Sequence, residues 1–362
     1  MTLRIRVQGD LAHLSSTDGA FDRVPCLTTV VEVRGGLLHG DPTGPAALPD
    51  ADIDDVDAAS AWLADVYGPE TADAVIRGVH GATIIEPGDQ TVIDAVLRLA
   101  RLSWTRAWWP AGARVPAVDP VLLAAEIALA SHAVEHLLDD DLATERALAD
   151  AAGIASALAA LPPALAAEGE RLLSALTALS EDYGVALDPA EATAADAAQV
   201  RQEWALAAGG ARDASDGIEV ASGSAAVRWG DVPAQTVDAE AEARWTLRQS
   251  AGVATLRVEV PAVDAPSSGR TLAARFGPAE LGVDVALRRD GALFRGQAEV
   301  PASALFLPAG ERLLWVRDPV LSPADADAPD SAADRERLLS VAAARMLSPD
   351  ASLAERAAGS SR

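Results

Sequence analysis

Lysine is absent from the 362 residues, and so is asparagine; all 29 basic residues are arginine. The lack of lysine removes two chemistries. A phosphate-binding loop has no amine to set against the phosphates, and Schiff-base catalysis has no amine nucleophile. The single cysteine, Cys26, rules out an internal disulfide and any cysteine-based zinc or iron–sulfur cage. It lies in "VPCLTTVVEV", beside a β-branched run, which predicts a small buried hydrophobe rather than a nucleophile. Aromatics make up 4% of the chain, so alanine and leucine supply most of the apolar surface. No apolar run approaches the roughly 18–20 residues that cross a bilayer, and "MTLRIRVQGD" alternates like a strand instead of forming a leader. A cytoplasmic protein is expected, with no membrane partner.

What is present is acid. Fifty-four carboxylates against 29 arginines give a net charge of −25, which repels nucleic acid and favours a basic partner. A GC-rich genome accounts for the missing lysine; selection beside a lysine-conjugating degradation system is the sharper alternative.

The expected fold class is multidomain α+β. Residues 1–112 read as a mixed α/β domain, in which Leu3, Ile5 and Val7 alternate and "CLTTVVEVRGG" forms a second strand. The stretch "DADIDDVDAASAWLADVYG" opens with carboxylates suited to the positive end of a helix dipole. It predicts a helix with Ile53, Val56, Leu63 and Val66 inward; the glycine and closing glutamate of a calcium loop are missing. "DQTVIDAVLRLARLSWTRAWWPAG" predicts a helix with Val92, Val96 or Leu97, Leu99 and Ser103 along one side, stopped by Pro110. Residues 113–209 read as an alanine-rich helical bundle, with helices near 119–139, 142–160, 163–183 and 189–208. Asp119 and Asp188 each precede a proline, as N-cap residues do.

A linker at 210–224 then marks a change of period. Residues 225–318 hold seven short alternating segments and predict an immunoglobulin-like β-sandwich with Trp229, Trp245 and Trp315 in its core. The Asp290-Gly291 pair predicts a hairpin. A second linker (319–330), a docking helix (331–348) and a disordered tail (349–362) complete the chain.

Two features carry chemistry. Trp104, Trp108 and Trp109 lie close enough to form a partner-binding patch, or a seam between domains. His132, Glu135 and His136 spell H-x-x-E-H, the arrangement in which two histidines one helical turn apart hold zinc and the glutamate acts as base. On these three residues the chain resembles the pitrilysin-like inverzincins. The resemblance implies a third zinc ligand some seventy residues downstream, where Glu203 and Glu219 lie. Helical geometry favours a different account. Leu123, Ile127, Ala130, Val134, Leu137 and Leu138 form a core stripe, and the histidines then occupy the opposite, solvated face. His13, His39 and His80 fall in separate loops or strand ends, and no G-x-S-x-G or G-x-G-x-x-G appears.

The expected function is therefore that of a non-enzymatic interaction protein without a cofactor. It would be an adaptor or accessory subunit of a bacterial multi-component system, binding other proteins such as an ATPase or protease of the same operon. A zinc hydrolase built on His132, His136 and Glu135, and a ligand-binding protein using the β-sandwich or tryptophans, are the alternatives.

Overall fold

A computed structural model describes residues 2–8, 11–16, 24–43, 48–84, 86–187, 218–263, 271–278, 280–321 and 332–360. Helices and two antiparallel sheets make a mixed α+β protein of two compact units. The first unit gathers Met1–Ala107, Val118–Pro189 and Ser340–Arg362; the second gathers Trp108–Ala117 and Ala190–Leu339.

The sheet of the first unit contains β1 (Thr2–Gln8), β2 (Leu11–Ser16), β3 (Thr29–Val33), β4 (Gly36–Gly40), β5 (Asp50–Ile53) and β6 (Gly81–Ile84). Their order is β3-β4-β5-β2-β1-β6, with every pair antiparallel. Alternation drives the strands: Leu3, Ile5, Ala12, Leu14, Val31, Val33, Ala51 and Ile53 are buried, while their neighbours, the buried Asp50 apart, are exposed or half-buried. Residues 50–53 differ from the expected helix start. Ala51 and Ile53, two apart, share the buried face, and the backbone pairs with β2 on one side and β4 on the other. The helical signal takes over only at α1 (Val56–Ala59), where the Asp55 carboxylate accepts the Ala58 N–H at 3.0 Å. Short helices α2 (Leu63–Tyr67) and α3 (Pro69–Ile76) follow.

The predicted helix after residue 90 is α4 (Gln90–Trp108); its buried stripe runs through Ile93, Val96, Leu97, Ala100 and Trp104. Asp119 caps α5 (Pro120–Ala133), accepting the N–H groups of Val121 and Leu122, both at 2.9 Å. Residues 122–128 of α5 are all buried, so this helix is surrounded by its unit. The expected helix over 142–160 divides into α6 (Ala143–Asp150) and α7 (Ile154–Ala159), because Gly153 adopts φ +88° between them. Helix α8 (Ala166–Tyr183) completes this series, and the helix expected over 189–208 lies outside the described residues.

Near the C-terminus come α9 (Ala332–Met346) and α10 (Leu353–Ser360). The second corrects the expected disordered tail: Leu353, Ala354 and Ala358 are buried, which anchors residues whose polar composition suggests fraying.

In the second unit, β7 (Ile218–Ala226), β8 (Glu242–Ser250), β9 (Val253–Pro261), β10 (Leu272–Phe276), β11 (Val283–Asp290), β12 (Leu293–Val300) and β13 (Leu314–Arg317) form a sheet. The order is β13-β10-β11-β12-β9-β8-β7. An immunoglobulin-like sandwich divides its strands between two sheets; here all seven belong to one curled sheet, in which β13 approaches β7 and β8. The curl brings Trp245 and Phe276 together, with ring centroids 4.8 Å apart. Trp229 is buried as expected. Trp315 is half-buried instead, with Arg228 and Arg317 over its ring and its indole donating to Asp231 at 2.6 Å. The predicted Asp290-Gly291 hairpin joins β11 to β12, with Gly291 at φ +61°.

Candidate functional site

The first unit contains a cavity of about 630 Å³ lined by residues of α4, α5, α8 and the C-terminal segment. Glu126, in the middle of α5, is a buried acidic part of its wall, 2% exposed. Its carboxylate accepts the N–H groups of Leu353 (3.0 Å) and Ala354 (2.9 Å), and Arg98 donates to it at 3.2 Å. First-turn N–H groups have no partner within their own helix, so Glu126 of one helix fastens the start of another. Burial raises the Glu126 carboxyl above its usual range, although the two N–H groups and Arg98 oppose the rise; nearby Glu355 adds to it.

Glu355 is equally enclosed. It accepts from Arg345 through Nε (3.1 Å) and Nη2 (2.7 Å), from the Thr105 hydroxyl (3.2 Å) and from the Ser352 N–H (2.8 Å). The Ser352 hydroxyl accepts the Glu355 N–H at 3.1 Å, which closes a reciprocal capping box. Arg345, itself buried, also donates to Asp350 at 3.1 Å, and Arg101 pairs with the same carboxylate. Burial pushes Asp350 up, but the Ser348 hydroxyl, Arg345 and Arg101 outweigh it and hold the group below the usual carboxylate range. Arg356 pairs with Glu168. Five of the 29 arginines thus line one cavity of a strongly acidic chain: Arg98, Arg101, Arg171, Arg345 and Arg356. None of them was singled out by sequence patterning. The one available signal is "SLAE" at 352–355, a Ser-x-x-Glu capping box at a helix start.

The H-x-x-E-H residues do not share a helix. Helix α5 ends at Ala133, and Val134 leaves the helical conformation with φ −125° and ψ 20°. The cause is tertiary: the Arg34 N–H donates to the Leu137 carbonyl at 2.9 Å, and Leu138 bridges Val33 at the end of β3. His132 faces the Tyr183 hydroxyl at 3.2 Å, while that hydroxyl donates to Glu135 at 2.6 Å. His136 sits 3.6 Å from Asp65. The imidazoles are thus engaged by different elements, and the one-turn spacing that zinc requires is missing. Among the described residues no group of three or more His, Cys, Asp or Glu is placed to hold a metal ion; Glu203 lies outside them. The stripe from Leu123 to Leu138 is buried, with His132 and His136 exposed.

The tryptophans are not an open patch. Trp104 and Trp109 are buried, 2% and 0% exposed, and Trp108 is half-buried. In the first unit the Trp104 indole donates to the carbonyl of Cys26 at 2.9 Å, and Cys26 is buried. In the second, Trp109 donates to the Pro116 carbonyl and Trp229 to the Trp108 carbonyl, both at 2.9 Å. Large side chains in so sparsely aromatic a chain are spent on these interiors.

One convergence has no sequence signal. His13 on β2 and His39 on β4 flank Asp52 on β5, at 2.8 Å from Oδ1 and 2.9 Å from Oδ2. Strand register alone brings them together, since Asp52 lies opposite His13 and two residues along β5 from Asp50, the partner of His39. Behind them Tyr67 donates to the Pro49 carbonyl at 2.8 Å. Its hydroxyl is raised well above its usual range by burial and then by Asp50 and Asp52. His80 stands elsewhere, accepting the Val7 N–H at 3.2 Å.

No model of a known protein family matches this chain, and neither does any curated protein or solved structure.

Proposed function

We propose that the chain is a non-enzymatic interaction protein, an adaptor or accessory subunit of a bacterial multi-component system in the cytoplasm. In this reading the helical segment is a bundle-like scaffold and the curled sheet presents the binding surface. One observation supports it most. Around β13 four large apolar side chains stand in water: Phe306 (82% exposed) and Leu313 (65%) before the strand, Val320 (91%) and Leu321 (54%) after it. Leaving a Phe, Leu or Val side chain in water forgoes about 1.5–3 kcal/mol each, and such exposure is typical of surfaces that a partner covers. The net charge of −25 favours a partner with basic groups around an apolar centre.

Affinity capture of the tagged full chain from its native host, with mass spectrometry, tests this reading. A reproducible, near-stoichiometric protein partner is expected, lost in a Phe306→Asp, Val320→Asp variant whose melting temperature is unchanged. Absence of any reproducible partner, or its undiminished capture by the variant, would overturn the reading.

A further inference from the structure

We infer that the cavity of the first unit is a binding site for a small anionic amphiphile: an apolar chain or ring carrying a carboxylate or phosphate. The inference is independent of the partner surface on the second unit. Its volume of about 630 Å³ lies within the range of small-molecule sites, roughly 300–1,000 Å³. Leu97, Leu129 and Leu172 supply apolar wall, from three different helices.

The polar wall has a surplus of donors. The carboxylates already take protein hydrogen bonds, Asp94 from Gln90 at 2.8 Å and the other four from arginines. The arginines are not used up in return. The Arg171 side chain, exposed on α8, makes no hydrogen bond or ion pair among the described residues and acts on Glu168 through charge alone. Arg98, with 58% of its side chain exposed, gives Glu126 one N–H at 3.2 Å. Arg356 uses both terminal nitrogens on Glu168, while its buried Nε has no hydrogen-bond partner among the described residues. A guanidinium carries about five N–H donors in a fixed fork that fits carboxylate and phosphate oxygens. An incoming anion therefore finds donors left over, whereas each carboxylate of the wall already accepts from a protein donor. Apolar walls beside those donors select an anion with an apolar body over a bare ion.

Titration calorimetry on the full chain would test this with four probes: decanoate, decyl phosphate, decanol and inorganic phosphate. Saturable binding of one equivalent of decanoate or decyl phosphate is expected, and the tighter of the two identifies the headgroup. Decanol and inorganic phosphate, each lacking one half of the match, should bind at least tenfold more weakly. Arg171→Glu should weaken the preferred probe at least tenfold without lowering the melting temperature, since that side chain is exposed and unpaired; Arg98→Gln should weaken it too. The inference fails if neither amphiphile saturates by millimolar concentration. It fails equally if decanol or inorganic phosphate matches the preferred probe, or if Arg171→Glu binds that probe as well as the native chain.

Discussion

Glu126 shows at the scale of one residue how a buried charge is tolerated. A lone carboxylate in the middle of an apolar helix would lose its hydration without compensation, yet two N–H groups of α10 and one of Arg98 receive it. The compensation is incomplete, because burial still holds its pKa above the ordinary carboxylate value. The direction fixes a pH dependence. A raised carboxyl favours folding fully below its unfolded pKa, and that contribution is lost as pH rises through the folded value. In E126Q the titration is removed, and one α10 N–H loses its oxygen acceptor, a loss of about 1–3 kcal/mol. Denaturant unfolding at several pH values should therefore show the native chain's advantage over E126Q greatest below the ordinary carboxylate range and shrinking toward neutrality. Losses from carboxylates held low, such as Asp350, occur in both chains and cancel in the difference. An advantage that grows with pH would mean the ionised form is the better accommodated one.

Elements were legible wherever local chemistry agreed with tertiary demand. Asp119-Pro120 starts α5, Gly291 turns the β11–β12 hairpin, and alternation marks β1. Residues 50–53 were misleading because acidic composition suits a helix start equally well, and only pairing on both edges makes a strand. The end of α5 was illegible for the same kind of reason: the contacts of Leu137 and Leu138 with the β3 end stop a helix that composition would continue. Gly296 on β12 illustrates a constraint of close approach. A Cβ there would lie 2.2 Å from the Ala286 carbonyl oxygen of β11 and 2.8 Å from a Val285 methyl. Gly296→Ala should destabilise the protein by about 1–3 kcal/mol, as overpacking does, read as a lower denaturation midpoint. Gly310→Ala, with nothing within 4 Å of its added methyl, should match the native chain.

Across the molecule the second unit is not continuous in sequence. The segment Trp108–Ala117 belongs to it. The Ala239 N–H donates to the Ala111 carbonyl at 3.0 Å, and Arg114 binds Glu240 at 2.5 Å and Glu336 at 2.9 Å. Residues 225–318, which the change of period sets apart in the sequence, would lack all of these when excised. The glycine-rich, polar stretch around 209–217 has the composition of a protease-sensitive connection. Limited proteolysis there should yield two fragments that elute together under native conditions and separate in denaturant, because the N-terminal fragment keeps the 108–117 segment of the second unit and the C-terminal fragment keeps residues 340–362 of the first. Separation without denaturant would show that these exchanged segments do not hold the two fragments together.

The sequence by itself determined the chemistry the chain lacks, the alternation of its strands, its helix caps and the buried stripe from Leu123 to Leu138. Each of these depends on residue type and on neighbours a few positions away, which is the range over which periodicity and capping act. Only the tertiary structure decided the rest. It parted His132 from His136 by ending a helix between them, and it buried Trp104 and Trp109. It joined His13 and His39 through Asp52, and it gathered arginines from positions 98, 101, 171, 345 and 356 around one cavity. Those arrangements follow from strand register and from helices packing across hundreds of residues, and no local pattern encodes such distances.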